Sequence, residues 1–243
     1  MTGGVFASVA FAEACQVGIE TTATVDGRLT ARPGAPARTL PAGTHALGLD
    51  ARRDALLHVP GTAAASMPLL VLLHGAGGEA DRILRQFRGD ADAAGVALLA
   101  PYSRASTWDA IRGRFGEDVA FLDRALAAVF ERVAVDPVRV AIGGFSDGAS
   151  YGLSLGLING DLFRRIAAFS PGFVIDGSPV ERPRCFVSHG TTDDILPIDR
   201  CSRRIVAGLR RRGYDVTYRE FTGGHHVPGE IAIEGLRWVA ERS

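Results

Sequence analysis

The chain of 243 residues contains no lysine; all 27 of its basic residues are arginine. That absence excludes a Walker-type phosphate loop, a Schiff-base lysine and a Ser-Lys dyad. Cysteine is scarce. Cys15, Cys185 and Cys201 are too few and too scattered for a disulfide framework or a metal site. Each reads as a small core or surface residue, and nothing in the spacing pairs Cys185 with Cys201. Net charge is missing too: 27 acidic residues balance the 27 basic ones. There is no electrostatic footing for nucleic acid or an anionic membrane. No apolar run approaches the roughly 18 residues of a membrane span, which argues against integral membrane association. Met1 to Ala14 is small and apolar, but no Lys or Arg precedes Arg28. A secretory leader normally opens on a basic segment, so this reading points to the cytoplasm. An exported protein trimmed from a precursor would carry the same text.

What is present is an ordinary globular composition, 47% hydrophobic and 22% charged, in a length that buries a full core. Residues 1–42 have no clear period and read as an extension, with Ala31-Arg32-Pro33-Gly34-Ala35-Pro36 an irregular linker. Residues 43–243 are regular. Thr44 to Leu49 and Ala55 to Val59 look like an antiparallel hairpin. Leu69 to Leu73, Gly95 to Ala100 and Val138 to Ile142 are continuous apolar runs, as strands buried on both faces would be. Ile166 to Phe169, Cys185 to Ser188 and Val216 to Phe221 complete the strands, and helices are predicted over 80–94, 117–133, 198–212 and 230–241. This alternation predicts an α/β fold with a mostly parallel sheet covered by helices on both faces. In such folds ligands bind beyond the carboxyl ends of the strands.

Gly144-Phe145-Ser146-Asp147-Gly148 follows one of those strands and precedes a small-residue helix. This is the setting of a nucleophile elbow. Glycine fills 30 of 243 positions, so the pentapeptide carries weight only with its context. A serine nucleophile needs a base and a group that orients the base. Taken in the order serine, acid, histidine, only His225 and His226 of the six histidines come late enough. They sit in Gly223-Gly224-His225-His226-Val227-Pro228, and His225 is the favoured one. The acid falls in His189-Gly190-Thr191-Thr192-Asp193-Asp194-Ile195-Leu196-Pro197, with Asp193 favoured over Asp194 and His189 bracing the loop. An oxyanion hole needs two N–H donors. Asp147, after the serine, supplies one; Ala76, in the glycine-rich His74-Gly75-Ala76-Gly77-Gly78, supplies the other. Trp108 and Asp109 are candidate substrate-binding residues on the same rim, a packed Trp108 being the alternative; Ile195, Tyr102 and Asp118 are weaker candidates. No metal site is read.

The four motifs, HGAGG at 74–78, GFSDG at 144–148, HGTTDDILP at 189–197 and GGHHVP at 223–228, together resemble the alpha/beta-hydrolase superfamily. Within it the chain is similar to the small phospholipase/carboxylesterase and polyhydroxybutyrate-depolymerase-like esterases, over residues 55–243. The resemblance implies a cofactor-free carboxylesterase with Ser146 as nucleophile, Asp193 as acid, His225 as base, and Ala76 and Asp147 as oxyanion donors. Many superfamily members insert a helical cap after the sixth strand. Here residues 170–184 are too few for one, so the expected site is open, suited to short-chain or surface-exposed esters, small-molecule or polymeric. A dienelactone-hydrolase relative would carry Cys where this chain has Ser146. A peptidase of the same fold usually needs extra gating domains. A non-catalytic binding protein on this frame usually lacks one of the three side chains.

Overall fold

In a computed structural model, the structure describes residues 26–37, 39–61 and 66–242. Cys15 and the apolar stretch from Met1 lie outside the described residues. Among the described residues, eight strands form one sheet: β1 (Gly43–Ala46), β2 (Ala55–Val59), β3 (Met67–Leu73), β4 (Ala97–Pro101), β5 (Val135–Phe145), β6 (Arg165–Phe169), β7 (Arg184–Gly190) and β8 (Val216–Phe221). Their spatial order is β1-β2-β4-β3-β5-β6-β7-β8. β1 and β2 pair antiparallel, as does β2 with β4; the remaining pairs are parallel.

Within the described residues six helices accompany them: α1 (Ala80–Ala94), α2 (Asp109–Arg112), α3 (Glu117–Arg132), α4 (Asp147–Ile158), α5 (Ser202–Arg211) and α6 (Gly229–Ala240). Strand alternation divides the core. Along β3, Leu69, Val71 and Leu73 enter the cluster shared with α3, α4 and α5. Leu70 and Leu72 enter the opposite cluster, with α1 and α6. Because side chains alternate across a strand, one apolar run serves both faces, each buried side chain contributing about 1.5–3 kcal/mol.

Parallel strands end at the same edge, so the loops after β3, β5, β7 and β8 share one rim. Residues 171–183, between β6 and β7, hold no helix. The start of that segment is pinned to α4, where Gly172 N–H donates to Ser150 Oγ at 2.9 Å and Ile175 N–H to Ser154 Oγ at 2.8 Å. No cap domain stands over the rim at this position.

Residues 26–37 contain no helix or strand, but side chains tie them to the body. Leu29 is buried, and its N–H donates to Asn159 Oδ1 at 2.8 Å. Arg28 grips both oxygens of Asp161 at 2.9 Å, a bidentate geometry. Asp123 Oδ1 accepts the N–H groups of Thr30 and Ala31 at 2.7 and 2.8 Å. Cys185 and Cys201 are buried free thiols. Among the described residues no helix is long and apolar enough to cross a membrane.

Candidate active site

Ser146 stands between β5 and α4 with φ 59° and ψ −121°, a conformation that side-chain-bearing residues seldom adopt. The turn is held by Ser146 N–H donating to Phe169 O at 3.0 Å. Its tightness dictates the flanking residues. A Cβ on Gly144 or on Gly148 would lie 2.3 Å from Leu73 O. Only glycine lets the elbow approach β3 this closely.

The elbow brings Ser146 Oγ to 2.8 Å from His225 Nε2, although 79 positions separate the two residues. His225 Nδ1 lies 2.7 Å from Asp193 Oδ2. A carboxylate only accepts, so Nδ1 carries the imidazole proton and Nε2 is free to accept from the serine hydroxyl. The Asp193 side chain is fully buried. Its other oxygen accepts the N–H groups of Ile195 and Leu196 at 3.0 and 2.8 Å. Burial pushes this carboxyl up, but the Leu196 N–H and the neighbouring imidazoles together outweigh it and hold it below the ordinary carboxylate value. His226, the neighbouring candidate base, is exposed and meets Phe221 edge-on at 5.5 Å. Asp194 is exposed as well.

His189 is buried beneath this group. Its Nε2 reaches Leu196 O at 2.7 Å, and its Nδ1 contacts Ser202 Oγ. Since a carbonyl accepts, Nε2 bears the proton and Nδ1 accepts from Ser202. Burial lowers the His189 pKa, favouring this neutral ring.

Asp147 is the first residue of α4, so its N–H has no partner within the helix. Neither that N–H nor the N–H of Ala76 donates to any other group of the described residues. Ala76 and Gly77 are exposed on the loop that follows β3, and Gly77 has φ +63°. His74 anchors the base of this loop. It is buried, donates from Nδ1 to Gly75 O at 2.8 Å and accepts the Ser103 N–H on Nε2 at 3.1 Å. Burial lowers its pKa.

Next to His225 opens a cleft of about 300 Å³. The loop after β3, Phe145, His225, His226 and Val227 line it, and α1 with its N-cap Glu79 adds Arg82, Ile83 and Gln86. Phe145 lies against the His225 ring with centroids 4.7 Å apart. Sequence reasoning missed the α1 residues. Their signal is the spacing 79, 82, 83 and 86, one helical face directly after the loop at 74–78.

Two of the substrate-binding candidates, Trp108 and Asp109, need correction. Trp108 is fully buried, donates its indole N–H to His74 O at 2.9 Å and stacks on Tyr151. It supports the rim from below and offers no surface to a substrate. Asp109 is likewise committed inward, accepting from Tyr151 OH at 3.0 Å and from Asp118 N–H at 2.8 Å. Asp118 is buried, and Tyr102 donates its hydroxyl to Asp81 at 3.1 Å. Ile195 is 65% exposed at the rim, on the loop that carries Asp193, though it does not line the cleft.

No family model matches the chain. In sequence it is 28% identical over 157 residues to a protein described as a probable feruloyl esterase C of Aspergillus oryzae, covering 60% of this chain and 57% of that protein. It is 29% identical over the same length to feruloyl esterase C of Emericella nidulans, with the same coverage. The match thus spans less than two thirds of those relatives. Among solved structures, esterase PE8 superposes with TM-score 0.62 at 20% identity, covering 83% of this chain and 98% of that one. A carboxylesterase from Mesorhizobium loti superposes with TM-score 0.61 at 22% identity, covering 82% and 100%. A truncated carbohydrate esterase from gut microbiota reaches TM-score 0.66 at 13% identity, covering 86% and 98%. The chain has the fold of the alpha/beta-hydrolase superfamily and is similar in sequence to feruloyl esterases.

Proposed function

We propose that the protein is a serine-dependent carboxylic ester hydrolase. The observation that carries this reading is the continuous hydrogen-bonded path Ser146–His225–Asp193 at the open rim. Ser146 Oγ attacks the ester carbonyl carbon while its proton passes to His225 Nε2. The N–H groups of Ala76 and Asp147 hold the oxyanion of the tetrahedral adduct, and Asp193 stabilises the imidazolium. His225 then gives the proton to the leaving alkoxide. Water, deprotonated by the same nitrogen, releases the acid and regenerates Ser146.

The rim supports a substrate class. The cleft is small and uncapped, and Phe173 and Ile195 stand exposed at 39% and 65%. Gly172 lies beside Leu196, which brings the Phe173 and Ile195 segments together. This favours short or projecting acyl groups, aromatic acids included, and admits esters at a polymer surface.

The deciding experiment compares wild type with Ser146→Ala on p-nitrophenyl acetate and butyrate, with fluorophosphonate labelling alongside. The variant should lose label and fall roughly 10⁴- to 10⁶-fold in turnover. Undiminished turnover in the variant defeats the reading. A panel of methyl ferulate, aliphatic esters and a polyester film then orders the substrates.

A further inference from the structure

The two oxyanion donors come from separate loops, and the structure gives them very different support. Asp147 belongs to the elbow, locked by Ser146 geometry and by two glycines pressed on β3. Ala76 belongs to an exposed glycine-rich loop, within which Gly78 N–H to Gly75 O is the backbone hydrogen bond. Register between β3 and β5 ends at Leu73 with Gly144. Beyond that point the sheet no longer sets how far Ala76 stands from Asp147.

Residues 103–109, the connection from β4 to α2, reach both. Toward the exposed loop, Ser106 O accepts the Gly77 N–H at 2.7 Å and the Trp108 indole N–H donates to His74 O at 2.9 Å. Toward the elbow, Thr107 Oγ1 donates to Asp147 Oδ2 at 2.7 Å. The connection is itself clamped. Asp118 accepts the Arg104 N–H on one oxygen at 2.6 Å and the Asp109 N–H on the other at 2.7 Å.

We propose that residues 103–109 are a brace that couples the oxyanion donor on the exposed loop to the one on the elbow, with Thr107 as the positioning residue that locks the brace to the elbow. This rests on the serine-hydrolase reading. Thr107 touches no reacting atom; it acts through Asp147 on one side and through Ser106 and Trp108 on the other. Transition-state hydrogen bonds tolerate little displacement, and loss of a whole oxyanion donor costs on the order of 10²- to 10³-fold in kcat. Loosening one donor should cost less, about tenfold.

The test uses Thr107→Val, which removes the hydroxyl and keeps the shape, and Thr107→Ser, which restores it. Steady-state hydrolysis of p-nitrophenyl butyrate is measured with inhibition by a trifluoromethyl ketone that forms a tetrahedral adduct. The brace predicts that Thr107→Val lowers kcat about tenfold, leaves KM within about twofold, weakens the ketone about tenfold and keeps fluorophosphonate labelling. Thr107→Ser should recover both kcat and ketone affinity. Unchanged kcat and ketone affinity in Thr107→Val overturns the proposal, as does a kcat loss that serine leaves unrepaired. Should Thr107→Val not fold, Trp108→Phe keeps an aromatic ring, smaller than the indole, drops the N–H and must show the same split between kcat and KM. Wild-type protein that neither hydrolyses esters nor takes the label overturns the serine-hydrolase reading itself, and the brace with it.

Discussion

His189 Nε2 stands 3.1 Å from Asp193 Oδ2, the same oxygen that meets His225 Nδ1 at 2.7 Å. Two imidazoles thus address one carboxylate, but in different states. His189 is enclosed and neutral, fixed between Ser202 and Leu196. His225 retains 15% side-chain exposure and faces the serine. The buried ring pins the Asp193 carboxylate that the His225 ring also meets.

Replacing His189 with Ala should therefore do more than open a cavity. The Leu196 carbonyl and the Ser202 hydroxyl lose their partner inside the protein, and a buried unsatisfied group costs about 1–3 kcal/mol. We expect about 2–4 kcal/mol of lost stability in urea unfolding, with ester turnover falling at 25 °C in the fraction that remains folded. Wild-type stability in this variant would mean the ring is dispensable.

The adjacent aspartates make a sharper comparison. Asp193 is buried and bonded on both oxygens, whereas Asp194 projects to solvent. Asp193→Asn should lower kcat by on the order of 10³- to 10⁴-fold, because an amide can present N–H to Nδ1 and invert the required tautomer. Asp194→Asn should leave kcat and stability near wild type. Kinetics of the two variants side by side settle the position of the acid; the reverse ranking would shift it by one residue.

Much of this arrangement was legible because chain order and strand ends carry it. Leu69 to Leu73 and Val138 to Ile142 announce strands buried on both sides, and Gly144 and Gly148 mark a turn that only glycine can make. Serine, aspartate and histidine each follow a strand, so parallel topology brings them to one rim. Trp108 was misread for a physical reason. Position after β4 puts it near the site, but nothing local decides whether an indole points out to a ligand or in to His74 O. Residues 26–37 gave no period because Asp123, Asn159 and Asp161, far along the chain, hold them in place of a repeating apolar face. Arg82 and Gln86 went unnoticed because an exposed helix face looks the same whether it borders solvent or a cleft.

Gly148→Ala tests the elbow itself. The new Cβ would meet Leu73 O at 2.3 Å and His74 O at 2.5 Å, both backbone atoms that cannot swing aside. Relief requires moving α4 away from β3, which drags Ser146 and the Asp147 N–H with it. Overpacking of this kind costs about 1–3 kcal/mol or more, and we expect a lower Tm with turnover reduced beyond what the loss of folded protein explains. A variant with native Tm and native kcat would show that the elbow has slack.

Asp118 gives a prediction in pH. Burial pushes its carboxyl up from an ordinary 3.8 to about 6, with the Asp109 charge adding to the rise while the Arg104 and Asp109 N–H groups and the Arg104 charge oppose it. Below about pH 4 both folded and unfolded chains carry the proton, and above about pH 6 both have lost it. Between those limits the folded protein holds more proton than the unfolded chain, so rising pH withdraws stability, by about 3 kcal/mol for a shift of roughly two units. Asp118→Asn cannot titrate. Tm measured for both proteins from about pH 4 to about pH 7 should therefore show wild type losing ground to the variant as pH rises. The variant should gain nothing in turnover, since an amide oxygen can accept from Arg104 or from Asp109 but its NH₂ repels the other N–H, slackening the connection that carries Thr107 and Trp108. A wild-type-minus-variant difference that stays flat across the window would mean that the two N–H bonds cancel the cost of burial in full.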